Sequence, residues 1–259
     1  MSKVITVYNN KGGSGKTLIT VNMAASLAVL GNRVLVIDSD SQCNATSYLN
    51  ILEAQETIEG VYNLSSPALP VVRTSFHENL FITPGYDGLD VLSSYMFCRG
   101  EETYLTLKRY LEPAKDQFDF VIIDTPPLSR SAIGYNALIA SDYVLVPVDG
   151  DGIGGAQGLR VVQGFISEVL SLKNPKLQNL GIVLNKCTDS WTTREITYQI
   201  KEQLRVEHMS SLLFKTRIPT LGRYGKSSIN RKPIVFLEPN GIGAKYFNTL
   251  AKEVIKKTK

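Results

Sequence analysis

The sequence predicts an α/β fold: one doubly wound, mostly parallel sheet with helices on both faces. Two observations carry this reading. The strand-like segments are continuous apolar runs rather than alternating ones, as strands covered on both faces require. They are separated by helix-length stretches, the order that builds parallel sheets. A third observation sharpens it: a glycine-rich loop lies between the first such run and the first helix, the placement of a phosphate-binding loop (P-loop).

The elements follow in order. Residues Lys3 to Tyr8 form the first apolar run, and a helix is predicted from about Lys16 to Leu30, stopped by Gly31. Val34–Ile37 is a second buried strand, ending in Asp38. Further strands are predicted at Leu80–Thr83, Phe120–Ile123, Tyr143–Val148, Leu180–Asn185 and Leu213–Ile218. Helices are predicted at Thr103–Leu111, Ile133–Ala140, Ala156–Leu170, Thr193–Leu204 and Ala244–Lys256. Asn50 to Val72 reads as short helices and loops. With no linker, repeat or low-complexity tract, residues 1–259 are expected to form a single domain.

With 43% apolar and 20% charged residues, the chain can bury a full core. The net charge of +4 is too small to identify a partner by itself. Cys43, Cys98 and Cys187 are scattered, which argues against a disulfide framework or a zinc or cluster site. No apolar run approaches the roughly 20 residues of a membrane span, and the first strand leaves no room for a signal peptide. A soluble, cytoplasmic protein is expected.

The loop reads Lys11-Gly12-Gly13-Ser14-Gly15-Lys16-Thr17, followed by Leu18. Its glycines permit positive φ and turn backbone N–H groups toward a phosphate. Lys16 is the cation for the β- and γ-phosphates, and Thr17 offers a hydroxyl to Mg²⁺. A nucleoside triphosphate with magnesium, ATP in particular, is the expected ligand. Lys11 is a second cation within reach of phosphate.

This loop resembles the deviant Walker A motif of the ParA/MinD superfamily of ATPases. The resemblance implies an ATP-sandwich homodimer in which Lys11 contacts nucleotide held by the other subunit. Asp38-Ser39-Asp40-Ser41-Gln42-Cys43-Asn44 is similar to the family's D-x-D-P-Q-G-N switch segment. Asp40 is thereby implied in positioning the attacking water and the magnesium shell. Ser41 replaces the usual proline and Cys43 the usual glycine. Phe120 to Pro127 is an apolar strand ending in Asp124, a Walker B pattern whose carboxylate can hold Mg²⁺ through its water shell. Asn185 ends another strand, where family members place a residue that hydrogen-bonds the purine. Ile218-Pro219 matches the segment that shapes the base pocket. The implied catalytic set is therefore Lys11, Lys16 and Asp40.

Between His208 and Leu237 there is no acidic residue, whereas Lys215, Arg217, Arg223, Lys226, Arg231 and Lys232 all occur. A one-signed segment of this kind is the footprint of phosphate-backbone contact. It resembles the family stretch that binds DNA without sequence preference, and Arg223, Lys226, Arg231 and Lys232 are the candidates. Lys201 and Arg205 on the preceding helix join them. The resemblance further implies a nucleoid-associated ATPase that moves plasmid, chromosome or other cargo, with hydrolysis stimulated by a ParB-like adaptor. The alternative is a MinD-like membrane-associated regulator. Tyr246, Phe247, Leu250, Ala251, Val254 and Ile255 make an apolar stripe on the last helix, which suits a core more than a membrane anchor. An iron–sulfur carrier on the same ATPase core would need paired cysteines.

Overall fold

Strand β1 (Lys3–Val7) pairs in parallel with β5 (Phe120–Asp124) on one side and β6 (Tyr143–Asp149) on the other. The computed structural model describes residues 2–127, 131–151 and 155–259. Across the sheet the order is β3–β4–β2–β5–β1–β6–β7–β8, with β2 at Val34–Asp38, β3 at Val72–Arg73, β4 at Leu80–Thr83, β7 at Gln178–Cys187 and β8 at Leu213–Pro219. All pairings are parallel except that of the two-residue edge strand β3 with β4.

Period-two alternation sorts the strand side chains to two faces. Ile5, Val7, Val34, Val36 and Ile122 pack under α1 (Lys16–Val29) and α11 (Ile242–Lys257). Val4, Leu35, Ile37, Val121 and Ile123 pack on the other face, with residues of α6 (Ala132–Ile139), α7 (Gly155–Leu172) and α8 (Trp191–Val206). Helix α1 is wedged between sheet and α11, so Ile19, Val21, Met23, Ala25, Leu27 and Ala28 are all fully buried. Such a helix needs apolar residues around most of its circumference, which its sequence supplies.

Several elements depart from the sequence reading. The helix expected at Thr103–Leu111 is a 3₁₀ turn (Glu101–Leu105) followed by α5 (Thr106–Leu111). Helix α4 (Leu89–Arg99) was not anticipated, because Val91, Tyr95 and Phe97 are exposed and blur its apolar period. The region after Asn50 holds the short helix α3 (Ile58–Tyr62) among loops, as read from the sequence, whereas α2 (Asn44–Tyr48) before it was not expected. The basic segment contains α9 (Gly222–Ile229) and α10 (Ile234–Leu237), neither of them expected. Strand β7 begins two residues early, with Gly181 at φ +140 where its pairing with β6 shifts register. Residues 152–154, within the glycine-rich stretch from Gly150 to Gly158, lie outside the described residues.

Candidate nucleotide site

The parallel strands end together on one edge, and there the sheet's register gathers carboxylates. Val7 is level with Asp124, and Asp124 is level with Asp38. The loop that leaves β1 is anchored by side chains. Asn9 donates from Nδ2 to the Pro147 carbonyl at 2.6 Å and accepts from the Lys11 N–H at 2.8 Å. Thr125 donates to the Val7 carbonyl at 2.8 Å.

Gly13 and Gly15 adopt φ of +73 and +89, so both loop turns occupy the left-handed region. At Gly15 a second constraint applies, because a Cβ there would fall inside the Asn185 amide. Helix α1 then begins without a side-chain cap and without an acidic residue in its first turn. Its first N–H groups are thus left for an anion. The Ser14 hydroxyl is buried there and has no protein partner.

Lys16 is only 6% exposed, with Nζ at 3.5 Å from the Lys11 carbonyl. Burial lowers its pKa from the usual lysine value, opposed by the carboxylates of Asp124 and Asp40. Thr17 donates to Asp124 Oδ2 at 2.7 Å, and Thr20, one turn further along α1, donates to Oδ1 at 3.1 Å. Asp124 is fully buried; desolvation, then the charge of Asp38, push its pKa well above the carboxylate range. Burial raises Asp38 too, opposed by hydrogen bonds from the Thr46 hydroxyl at 2.6 Å and its N–H at 2.8 Å.

In the switch segment Asp40 is 6% exposed and accepts from the Gln42 N–H at 3.0 Å. Both departures from the family pattern have structural consequences. Ser41 uses its hydroxyl to donate to Asp90 on α4 at 2.9 Å, a bond that proline cannot make. Cys43 sits at φ +49, the left-handed conformation that glycine adopts without strain.

Asn185 is fully buried behind the loop. Its Nδ2 donates to the Ser14 carbonyl at 2.9 Å, while its Oδ1 has no partner. The donor half of the amide is therefore committed to the loop, and the acceptor half remains for a ligand. Pro219 ends β8, and the Thr220 N–H reaches the Cys187 carbonyl at 2.9 Å to tie β8 to β7. A groove opens there between Cys187, Thr188, Pro219 and Leu221. Leu18 is half-buried against the α1 core.

Thus Lys11 to Leu18, Asp40, Asp124, Asn185 and Pro219 line one edge of the sheet. Sequence reading left out Thr20 and the loop anchor Asn9, and it gave Asp38, at the strand end, no role of its own. A threonine one turn after Thr17 was the available signal for Thr20. Lys186 was also overlooked; its Nζ lies beside Gly13 and 4.0 Å from Asp149, with φ at +54.

The basic candidates differ in how far their charge is engaged. Arg223 is paired with Glu238 at 2.6 Å, an acid just beyond the acid-free stretch. Arg205 is paired with Glu202 at 2.8 Å, one helical turn away on α8. Lys226 and Arg231 are exposed, Lys232 half so. The free positive surface is therefore smaller at these positions than their composition suggests.

A hard, oxygen-rich site fits magnesium triphosphate. It offers the Thr17 hydroxyl, buried carboxylates, an open helix start and a buried lysine, with orphaned polar atoms at Ser14 and Asn185. Among the described residues no three His, Cys, Asp or Glu side chains are grouped to cage an ion. Such a cation would be held jointly with phosphate and water, as Mg²⁺ is.

A P-loop nucleotide-binding protein is the class that this fold and edge define. Residues 2–179 match the family model described as AAA domain. The chain is 34% identical over 265 residues to the sporulation initiation inhibitor protein Soj of Bacillus subtilis, covering 98% of each chain. It is 34% identical over 256 residues to the chromosome-partitioning ATPase Soj of Thermus thermophilus, covering 97% of this chain and 94% of that one. In structure it resembles the McdA–ATP complex of Cyanothece, with TM-score 0.84 at 24% identity over 98% and 96% of the two chains. It also resembles cobyrinic acid a,c-diamide synthase of Mycobacterium smegmatis bound to an ATP analogue and magnesium, with TM-score 0.78 at 26% identity over 100% and 96%. The chain belongs to the ParA/MinD superfamily of ATPases, on its Soj-like branch.

Proposed function

We propose that residues 1–259 form a single ParA-type domain that binds Mg-ATP, closes into a homodimer, and in that state holds DNA without sequence preference. The observation that supports this reading most is the Thr17–Asp124 hydrogen bond beside buried Lys16. The Thr17 hydroxyl, the Asp124 carboxylate and the Lys16 ammonium lie together, which supports a site for magnesium and phosphate.

In this reading the open start of α1 and the loop N–H groups receive the β- and γ-phosphates, and Lys16 neutralises them. Thr17 through its hydroxyl and Asp124 through water would be the residues that hold the magnesium ion. Magnesium, when bound, offsets the charge that develops on the phosphoryl oxygens. Asp40 orients the attacking water. Lys11 reaches the nucleotide of the second subunit, so dimer closure completes each site. Asn185 accepts from the adenine amino group through its free Oδ1, and Pro219 borders the base. A ParB-like adaptor stimulates hydrolysis, which opens the dimer and releases cargo from the nucleoid.

The membrane-bound alternative draws no support from α11. Phe247, Leu250, Ala251 and Val254 are fully buried in the core shared with α1. Among the described residues no helix is long and apolar enough to cross a membrane.

The deciding experiment is light scattering and duplex binding with ATP, ADP or no nucleotide. The proposal expects a dimer and DNA binding only with ATP. A monomer in all three states, or ATP-dependent binding to anionic vesicles without DNA binding, overturns it.

A further inference from the structure

Lys186, near the end of β7, lies between two pinned neighbours. The Asn185 carbonyl accepts from the Gly150 N–H at 2.6 Å, and the Cys187 carbonyl accepts from the Thr220 N–H at 2.9 Å. The chain here is thereby fixed to the segment after β6 on one side and to the segment after β8 on the other. Between these bonds Lys186 adopts φ +54, the left-handed conformation that strains any residue carrying a Cβ. Asparagine and aspartate offset that strain with short polar side chains that bond nearby backbone, and lysine does not.

The side chain of Lys186 lies over the phosphate loop. Its Nζ is 3.8 Å from the point where a Cβ on Gly13 would stand. The ion pair with Asp149 is loose, at 4.0 Å, longer than a hydrogen bond. Asp149 meanwhile accepts from the Asp151 N–H at 3.0 Å. The Lys186 side chain is 46% exposed, so its three N–H donors face space that a ligand can enter. Two groups beside it also await a ligand. They are the buried Oδ1 of Asn185, which has no partner, and the uncapped start of α1 just beyond Gly15.

We propose that Lys186 is a third cation of the nucleotide site, beside Lys16 and Lys11, and that it holds the part of the nucleotide that ATP and ADP share. The inference rests on the nucleotide reading of this edge and adds a binding residue to it. Asn185 stands on the base side, and Gly13 lies in the loop that receives phosphate. A cation between the two faces the ribose and the phosphates next to it, whereas Lys16, at the start of α1, serves the terminal ones. Lys186 is therefore a binding residue and takes no part in transfer of the γ-phosphoryl group. A strained backbone held by bonds on both flanks is the kind that persists at ligand clamps, where the surrounding structure over-determines it.

The test is isothermal titration with Mg-ADP and with the magnesium complex of a non-hydrolysable ATP analogue. The proteins are the parent, Lys186→Gly, Lys186→Asn, Lys186→Arg and Asp149→Asn. Glycine and asparagine accept the left-handed backbone and lack the ammonium. Both variants are expected to bind ADP and the analogue about tenfold more weakly, by similar factors, as loss of one charge-assisted hydrogen bond at a partly exposed site predicts. Lys186→Arg is expected to recover most of the affinity, and Asp149→Asn to bind at least as tightly as the parent. Urea melts without nucleotide separate binding from folding, and Lys186→Gly is expected to keep the parent's midpoint or exceed it, because the strain is relieved. The asparagine variant stands alone if the glycine variant fails to fold. Parent-like affinity for both nucleotides in these two variants overturns the proposal. So does a loss matched by Asp149→Asn, a loss accompanied by a lowered midpoint in both, or a loss confined to the ATP analogue, which puts the ammonium at the γ-phosphate. A parent that binds neither nucleotide overturns the nucleotide reading itself.

Discussion

The Asn185 amide donates to the Ser14 carbonyl at 2.9 Å, joining the end of β7 to the middle of the phosphate loop. The same amide occupies the space that a side chain at Gly15 would need. Loop shape and the base side of the pocket are thus held by one residue.

Gly15→Ala should accordingly remove ATP binding, since both the left-handed φ and the Asn185 contact forbid a Cβ. Asn185→Ala frees that space but leaves the Ser14 carbonyl buried without a partner. That cost, about 1–3 kcal/mol, lowers stability with and without nucleotide, whereas ATP affinity falls by the lost adenine bond alone, about 0.5–1.5 kcal/mol or roughly 2- to 13-fold. Isothermal titration reads both, and ATP affinity retained in Gly15→Ala would contradict the loop geometry.

Three changes separate binding, closure and chemistry. Lys16→Ala should abolish ATP binding. Lys11→Ala should leave binding by the monomer within a fewfold of the parent and remove the ATP-dependent dimer. Asp40→Ala should accumulate the ATP-bound dimer with turnover reduced at least a hundredfold. Light scattering and phosphate release distinguish them; normal turnover in Asp40→Ala would strike it from the chemistry.

The Asp38–Asp124 pair gives the nucleotide-free protein a pH signature. Asp124 has its pKa raised by burial and by Asp38, above the value near 4 of an unfolded chain. A raised folded value means that its carboxyl holds a proton more tightly when folded. That contribution is complete below the unfolded pKa and is lost as pH rises toward the folded one. Asp124→Asn should therefore stabilise the nucleotide-free protein by about 1–3 kcal/mol at pH 8 and by much less at pH 4. Urea melts at the two pH values check this; equal shifts at both would refute the assignment.

Phe247 tests the membrane alternative. It is fully buried, edge-on to Tyr224 with ring centroids 5.4 Å apart. Phe247→Ala should cost about 3–5 kcal/mol of stability, as deleting a core aromatic does. A membrane-facing residue would instead lose vesicle binding with its melting temperature unchanged.

Much of the parallel sheet and the phosphate loop was legible in the sequence because both depend on local physics. Strands buried on both faces read as continuous apolar runs, and a loop that cradles phosphate must be rich in glycine. Helix α4 was not legible, since its outward Val91, Tyr95 and Phe97 erase the amphipathic period. Nor was α9, whose polar, glycine-containing sequence has low helix propensity and is held by the packing of Tyr224 and Ser227.

Residues far apart in the chain meet only through tertiary structure. Register alone sets Asp38 level with Asp124, and crossover topology brings Asn185 behind Gly15, 170 positions away in sequence. Charge pairing is equally non-local. The sequence by itself determined that the segment after His208 is basic. Tertiary structure decided which of its cations are free, because Glu238 lies beside Arg223 while Glu253, on another element, is spent on backbone N–H groups. Composition counts charges along a chain, whereas the field at a surface depends on where the opposite charges fold.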